Sequence, residues 1–241
     1  MPADDKPTAS VWTRPRRPQR EQLTREQIVA AAIELLDQEG TEALSMRKLG
    51  SRLNAAATSL YRHVANRDEL IQLVVDDVYG EIRPPATADR SQWRAAVTRI
   101  AADLRAMALR HPWIAPELGQ VGLVHIGPNA MRMSSGLLAQ FEAAGFSAEE
   151  KDQAAGTLTA YVIGIATSEA AYLSLITRSG KTEQEWVADL RPAFDEAAQQ
   201  HPRLREGSSA QQDMHPQQIR DDAFSYGLDR VLDGLTARLN T

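Results

Sequence analysis

Residues 45–64 read SMRKLGSRLNAAATSLYRHV. Met46, Leu49 and Leu53 repeat at helical spacing, as do Leu60 and Val64, and Asn54-Ala55-Ala56 separates the two patterns. Ser45 is a good N-cap for the first pattern. Asn54 tolerates the left-handed conformation that ends a helix. Two short helices joined by a tight corner make a helix-turn-helix, whose second helix can enter the major groove of DNA. The stretch carries Arg47, Lys48, Arg52 and Arg62 and no acid.

That local charge stands against a net charge of −5 over 241 residues. Phosphate contacts are local, so an acidic protein with a basic face can still bind a polyanion. A second basic cluster, Arg14, Arg16, Arg17 and Arg20, lies in residues 1–22, a Pro-rich polar segment expected to form a flexible arm. The chain has no cysteine, which excludes a disulfide framework and thiolate chemistry. No run of about 18 apolar residues stands out, so no membrane span is expected. Asp4 and Asp5 without an apolar stretch argue against a secretory signal, and a cytoplasmic protein is expected.

Around the opening stretch, helix signals dominate and strand signals are almost absent, so the fold class is all-α. Thr24-x-x-Gln27 is a capping box for a first helix, with Ile28, Ala31, Ala32, Leu35 and Leu36 on one face and Gly40 as its stop. A third helix is expected from about Ala57 to Val64. Asn66 caps a fourth, with Glu69 in the reciprocal position and Pro84-Pro85 ending it. Beyond lie a helix capped by Ser91 and broken at His111-Pro112, one from about Asn129 to Ala144, and a long one opened by the Ser147-x-x-Glu150 box and reaching about Thr177. Thr182-x-x-Glu185 begins another. The last carries Phe224, Leu228, Val231, Leu232, Leu235 and Leu239. The expected organisation is an arm over 1–22, a three-helix helix-turn-helix domain over 23–69 and a helical ligand-binding and dimerisation domain over 70–241. The helix from 67 to about 82 connects the last two.

The run M46-R-K-L-x-x-x-L53, T58-S-L-Y-R-H-V64 and N66-R-D-E-L70, after I28-x-x-A-A-I-x-L-L-x-x-x-G40, resembles the tetracycline-repressor (TetR) family. The segments R110-H-P-W113, G127-P-N-A-M131 and A144-G-F-S147 are similar, more loosely, to the tetracycline repressor's own subgroup. The resemblance implies a repressor that binds a palindromic double-stranded DNA operator as a homodimer and is released by a small-molecule inducer, with no membrane partner. DNA contact is then expected from Ser45, Met46, Arg47, Lys48, Ala57, Thr58, Ser59, Tyr61, Arg62, His63, Asn66 and Arg67. Arg47 is expected to read a base. Ala57, Thr58 and Ser59 would meet base edges, and Tyr61, His63 and Arg67 would contact phosphate or position the helix. Ala57 and Thr58 depart from the tetracycline repressor's larger polar residue and proline, so a different operator is expected. Gly156, Gly164, Ala166 and Ala170 would permit close helix approach in a dimer bundle.

An effector pocket is expected among Trp93, Ile100, Leu104, Trp113, His125, Met133, Phe141 and Tyr161. Arg83 and Ile100 stand where the tetracycline repressor uses a histidine and an asparagine to grip its drug. A different, largely apolar effector is therefore expected, with no metal and no cofactor. Two other functions compete. One is a DNA-binding regulator that answers to a protein partner instead of an inducer. The other is an enzyme using His111, His125, Glu117 and Asp103, but no H-E-x-x-H, G-x-S-x-G or Gly-rich phosphate loop accompanies them, and no catalytic residue is assigned.

Overall fold

The computed structural model describes residues 23–119, 126–201, 203 and 214–239. Its helices are α1 (Arg25–Glu39), α2 (Met46–Arg52), α3 (Ala57–Leu60), α4 (Arg67–Tyr79), α5 (Trp93–Arg110), α6 (Ala115–Leu118), α7 (Pro128–Ala144), α8 (Ala148–Ser179), α9 (Glu183–Ala197) and α10 (Pro216–Arg238). No strand occurs among the described residues.

Capping chemistry sets the starts of α1, α2 and α4, whereas α3 begins after Ala56 with no side-chain cap. Thr24 Oγ1 accepts the Gln27 N–H at 3.2 Å, and Gln27 Oε1 accepts the Thr24 N–H at 3.0 Å. Ser45 Oγ accepts the Lys48 N–H at 3.2 Å. Asn66 Oδ1 accepts the Glu69 N–H at 2.8 Å, while the Glu69 carboxylate reaches back to the Ala65 N–H at 2.5 Å. The corner between α2 and α3 is made by Asn54, at φ 50°, and by Gly50. A Cβ on Gly50 would sit 2.8 Å from the Ala55 carbonyl oxygen, so only glycine lets the chain fold back there.

Three expectations need correction. The third helix is a single turn that ends at Leu60, and Tyr61–His63 form a turn beyond it. The fourth stops at Tyr79, short of the proline pair. Ser91 does not cap α5. Its N–H and hydroxyl both bond Asp89 Oδ1, at 2.7 and 2.9 Å, and Gln92 holds the cap position without a side-chain bond.

Leu35, Leu36, Leu49, Leu60, Val64, Leu70 and Val74 are buried and close the N-terminal bundle around α4. Past the linker, α5, α7 and α8 pack on one another, α7 meets α4, and α10 lies along α8. Phe224, Leu228 and Leu232 face this core, whereas Val231, Leu235 and Leu239 are only half-buried, so the last helix's stripe divides. No residue of α9 itself is buried, and Leu190 and Phe194 are exposed. By length and composition α8 is apolar enough to cross a membrane. Here it packs against α5, α7 and α10.

Leu60 is fully buried at the centre of the small N-terminal core. Leu60→Ala is expected to lower unfolding stability by about 2–5 kcal/mol, because the loose end of α3 can only partly fill the cavity. Urea denaturation measures it, and an unchanged midpoint would contradict this packing.

Candidate nucleic-acid interface

The buried side of α2 and α3 fixes what their other side presents. With Leu49, Leu60 and Val64 inward, Arg47, Lys48, Thr58, Tyr61, Arg62, Asn66 and Arg67 are exposed, and Ala57, Ser59 and His63 half-exposed. Ser45 is exposed with its hydroxyl committed to the α2 cap. Met46 is the exception. It is buried on the inner face of α2 and is removed from the expected DNA contacts. Tyr61 is 52% exposed, which argues against a packing role.

The cations divide into two groups. Lys48 pairs with Glu39, and Arg52 bonds Glu34 at 3.0 Å and Gln38 at 2.9 Å, so both tie α2 to α1. Arg67 donates to the Thr41 and Leu44 carbonyls at 3.1 and 3.3 Å and braces the link between α1 and α2. Among the described residues the guanidinium groups of Arg47 and Arg62 have no hydrogen bond or ion pair, so they are available to an outside anion.

Helix α4 carries this head to the C-terminal core. Asp76 Oδ1 accepts the Asn129 and Ala130 N–H groups at 2.9 and 3.0 Å, and Asn129 Nδ2 donates to the Asp76 carbonyl at 3.0 Å. A carboxylate of α4 thus caps the positive end of α7. Sequence spacing gave no sign of it, because the partners are 53 residues apart.

Two family models match the chain: bacterial regulatory proteins of the tetR family over residues 28–74, and the tetracyclin repressor-like C-terminal domain over residues 85–239. The chain belongs to the TetR family. It is 41% identical over 165 residues to an HTH-type transcriptional regulator of Saccharopolyspora erythraea, covering 68% of this chain and 69% of that one. It is 32% identical over 230 residues to the HTH-type transcriptional repressor DrrR1 of Streptomyces coeruleorubidus, covering 93% and 83%. The solved structure of Streptomyces coelicolor ActR in complex with actinorhodin superposes with a TM-score of 0.73 at 30% identity, over 90% of this chain and 97% of that one. TetR membership makes it a DNA-binding transcriptional regulator rather than an enzyme.

The expected effector residues are not gathered at one site. Trp93, Ile100, Leu104, Met133 and Phe141 lie in the core, with the rings of Trp93, Phe141 and Phe146 5.4–6.1 Å apart. Trp113 instead turns toward α1, where its indole N–H donates to Asp37 Oδ1 at 2.7 Å. Tyr161 ties α8 to α10, its hydroxyl donating to the Phe224 carbonyl at 2.8 Å in space that Gly227 leaves open. His125 lies outside the described residues. Gln140 is a buried residue that the sequence pattern did not single out. It is 1% exposed on the inner face of α7, and its amide nitrogen has no hydrogen-bond partner among the described residues.

A charged cluster of this TetR-family core also went unforeseen. Glu169 on α8 is buried and accepts Arg105 Nε and Nη2, both at 2.7 Å, and Arg220 Nε at 2.8 Å. Arg105 also reaches Asp221 at 2.8 Å, and Arg220 reaches Glu183. Burial opposes the charge on Arg105, yet its bonds to Glu169 and Asp221 prevail and hold its pKa above the ordinary arginine value. Cavities of about 460 and 420 Å³ open on either side, the first against Arg105 and Phe224, the second against Arg220 and Tyr172. One sequence signal was present: Glu169 is the only charged residue between Asp152 and Arg178. Glu169→Ala would remove the buried carboxylate that two part-buried guanidinium groups share, leaving Arg105 with Asp221 and Arg220 with Glu183, and is expected to cost about 1.5–3 kcal/mol. Calorimetric melting tests this; an unchanged melting temperature would show that the cluster holds nothing together.

Proposed function

We propose that this chain is a repressor acting in the cytoplasm as a homodimer, in which two α2–α3 heads sit on a palindromic operator until a small, largely apolar effector enters the C-terminal domain. The observation that carries the reading is the outward face of the corner. Among the described residues the Arg47 and Arg62 guanidinium groups stand unpaired beside the small side chains of Ala57, Thr58 and Ser59, with the apolar residues of the same helices turned inward. Small side chains let the helix approach base edges, and threonine and serine can donate or accept there. The name of DrrR1, a repressor, supports the direction of regulation.

A single head reads few base pairs, and a two-fold dimer places two heads about 34–36 Å apart, one turn of DNA. The exposed apolar side chains beyond the head support such a pairing. Leu175 on α8 and Tyr226 on α10 are 49% and 67% exposed. Gly156 and Gly164 face open space within one chain, as a close helix contact requires. Ala166 and Ala170, by contrast, are buried in their own chain's core and are withdrawn from the dimer face.

For the effector, the solved complex of ActR with actinorhodin shows that a relative takes up an organic ligand. We place the ligand here against the aromatic core of α5 and α7. The Gln140 amide, a buried donor without a partner among the described residues, would bond an acceptor oxygen on it. A ligand that prefers a misplaced pair of heads weakens DNA binding by that preference, typically about 1–3 kcal/mol. No metal or cofactor is invoked.

Two substitutions test these assignments. Arg47→Ala is expected to weaken operator binding by about 1–3 kcal/mol and relax one base preference, as read by binding to a randomised site; unchanged affinity and preference remove Arg47 from the interface. Gln140→Leu is expected to raise the melting temperature, because an unsatisfied buried amide is lost, while raising the effector concentration needed to release DNA. A variant that melts lower, or is released at the wild-type concentration, would contradict that role.

A further inference from the structure

The R110-H-P-W113 segment does more than end a helix. Pro112 cannot continue α5, so the chain turns at His111 and carries two polar rings toward the N-terminal bundle. His111 is 4% exposed, and each of its ring nitrogens faces a carboxylate: Nδ1 lies 2.7 Å from Asp37 Oδ1, and Nε2 lies 2.9 Å from Glu81 Oε1. Trp113 Nε1–H donates to the same Asp37 oxygen at 2.7 Å, and Arg110 pairs with Glu81. A ring with a proton on each nitrogen donates to both acids at once. The two acids come from different bodies. Asp37 belongs to α1, in the head, and Glu81 follows α4, where the chain leaves the head.

From Asp37 the connection runs on without a gap. Within the same two turns of α1, Glu34 and Gln38 hold Arg52, and Glu39 holds Lys48. Both cations are on α2, which packs on α3. The end of α5 therefore reaches the reading helix through α1, by the buried His111 contact and then by exposed ion pairs and hydrogen bonds between α1 and α2, separately from the route along α4 through Asp76. Two attachments at different points fix an angle, where one would leave a pivot.

We propose that Asp37, His111 and Glu81 form a clasp that sets the angle of the head on the C-terminal core, and so the half-site spacing this protein accepts in DNA. The three are positioning residues; none touches the bases. The inference rests on the palindromic-operator reading above.

The test begins with a duplex selected by the full-length wild-type protein from a random pool. Affinity is then measured for that duplex and for versions with one base pair added or removed at its centre. Wild type is expected to discriminate among spacers, and His111→Leu and Glu81→Ala to reduce that ratio by about fivefold or more. Glu81 is about one-third exposed, so its variant spares the core if His111→Leu does not fold. A merely structural role lowers the folded fraction and scales all affinities together, leaving the ratio unchanged. A wild-type ratio in the folded variants overturns the clasp. A wild-type protein that selects no inverted repeat overturns the operator reading itself, and the clasp with it, and that outcome is visible before any variant is made.

Discussion

One apolar core runs unbroken from Ile28 in α1 through Leu70, Val74 and Val78 in α4 to Leu232 in α10. The other features of the molecule depend on this continuity. The N-terminal bundle has too few residues to bury a large core of its own, and small cores are marginal. It borrows α4, whose inward side chains belong to both halves. A packed interior responds to strain by shifting between discrete arrangements rather than yielding smoothly. A change in how α5, α7 and α8 pack is therefore felt at α4, and Asp76 and His111 add fixed polar attachments to the same junction.

The same physics explains which surfaces remain uncovered. In α2 and α3 every apolar residue that can turn inward does so, including Met46, and the outer face keeps small side chains and unpaired arginines. On α8, α9 and α10 the outcome differs. Large apolar residues stay exposed there even after the chain has closed its core. Exposed apolar area of this kind is most simply explained by a further packing partner. Glu169, buried in the middle of the most apolar helix, adds a specific requirement. It needs Arg105 and Arg220 at once, so α5, α8 and α10 must meet in one register.

Much of the architecture was legible in the sequence, because caps and periodic stripes are local. Thr24, Ser45, Asn66, Ser147 and Thr182 each cap the helix that their spacing announced, and Asn54 takes the left-handed turn. Ser91 shows where such reasoning ends: a cap competes with other nearby acceptors, and Asp89 won. Long-range pairings left no local trace. Nothing in the spacing joins Asp37 to His111, Asp76 to Asn129 or Arg105 to Glu169. For the interior, an aromatic and methionine stripe looks the same whether it fills a core or lines a pocket. Trp113 and Tyr161 were placed elsewhere by their polar tips, which sought Asp37 and the Phe224 carbonyl.

The most direct test of the account is the mass of the purified protein, alone and bound to a duplex it has selected, by light scattering after gel filtration. Two chains in solution and two chains on one inverted-repeat duplex are predicted, with weaker retention on random duplex at the same salt. A single chain in both cases, or equal retention on both duplexes, would contradict it.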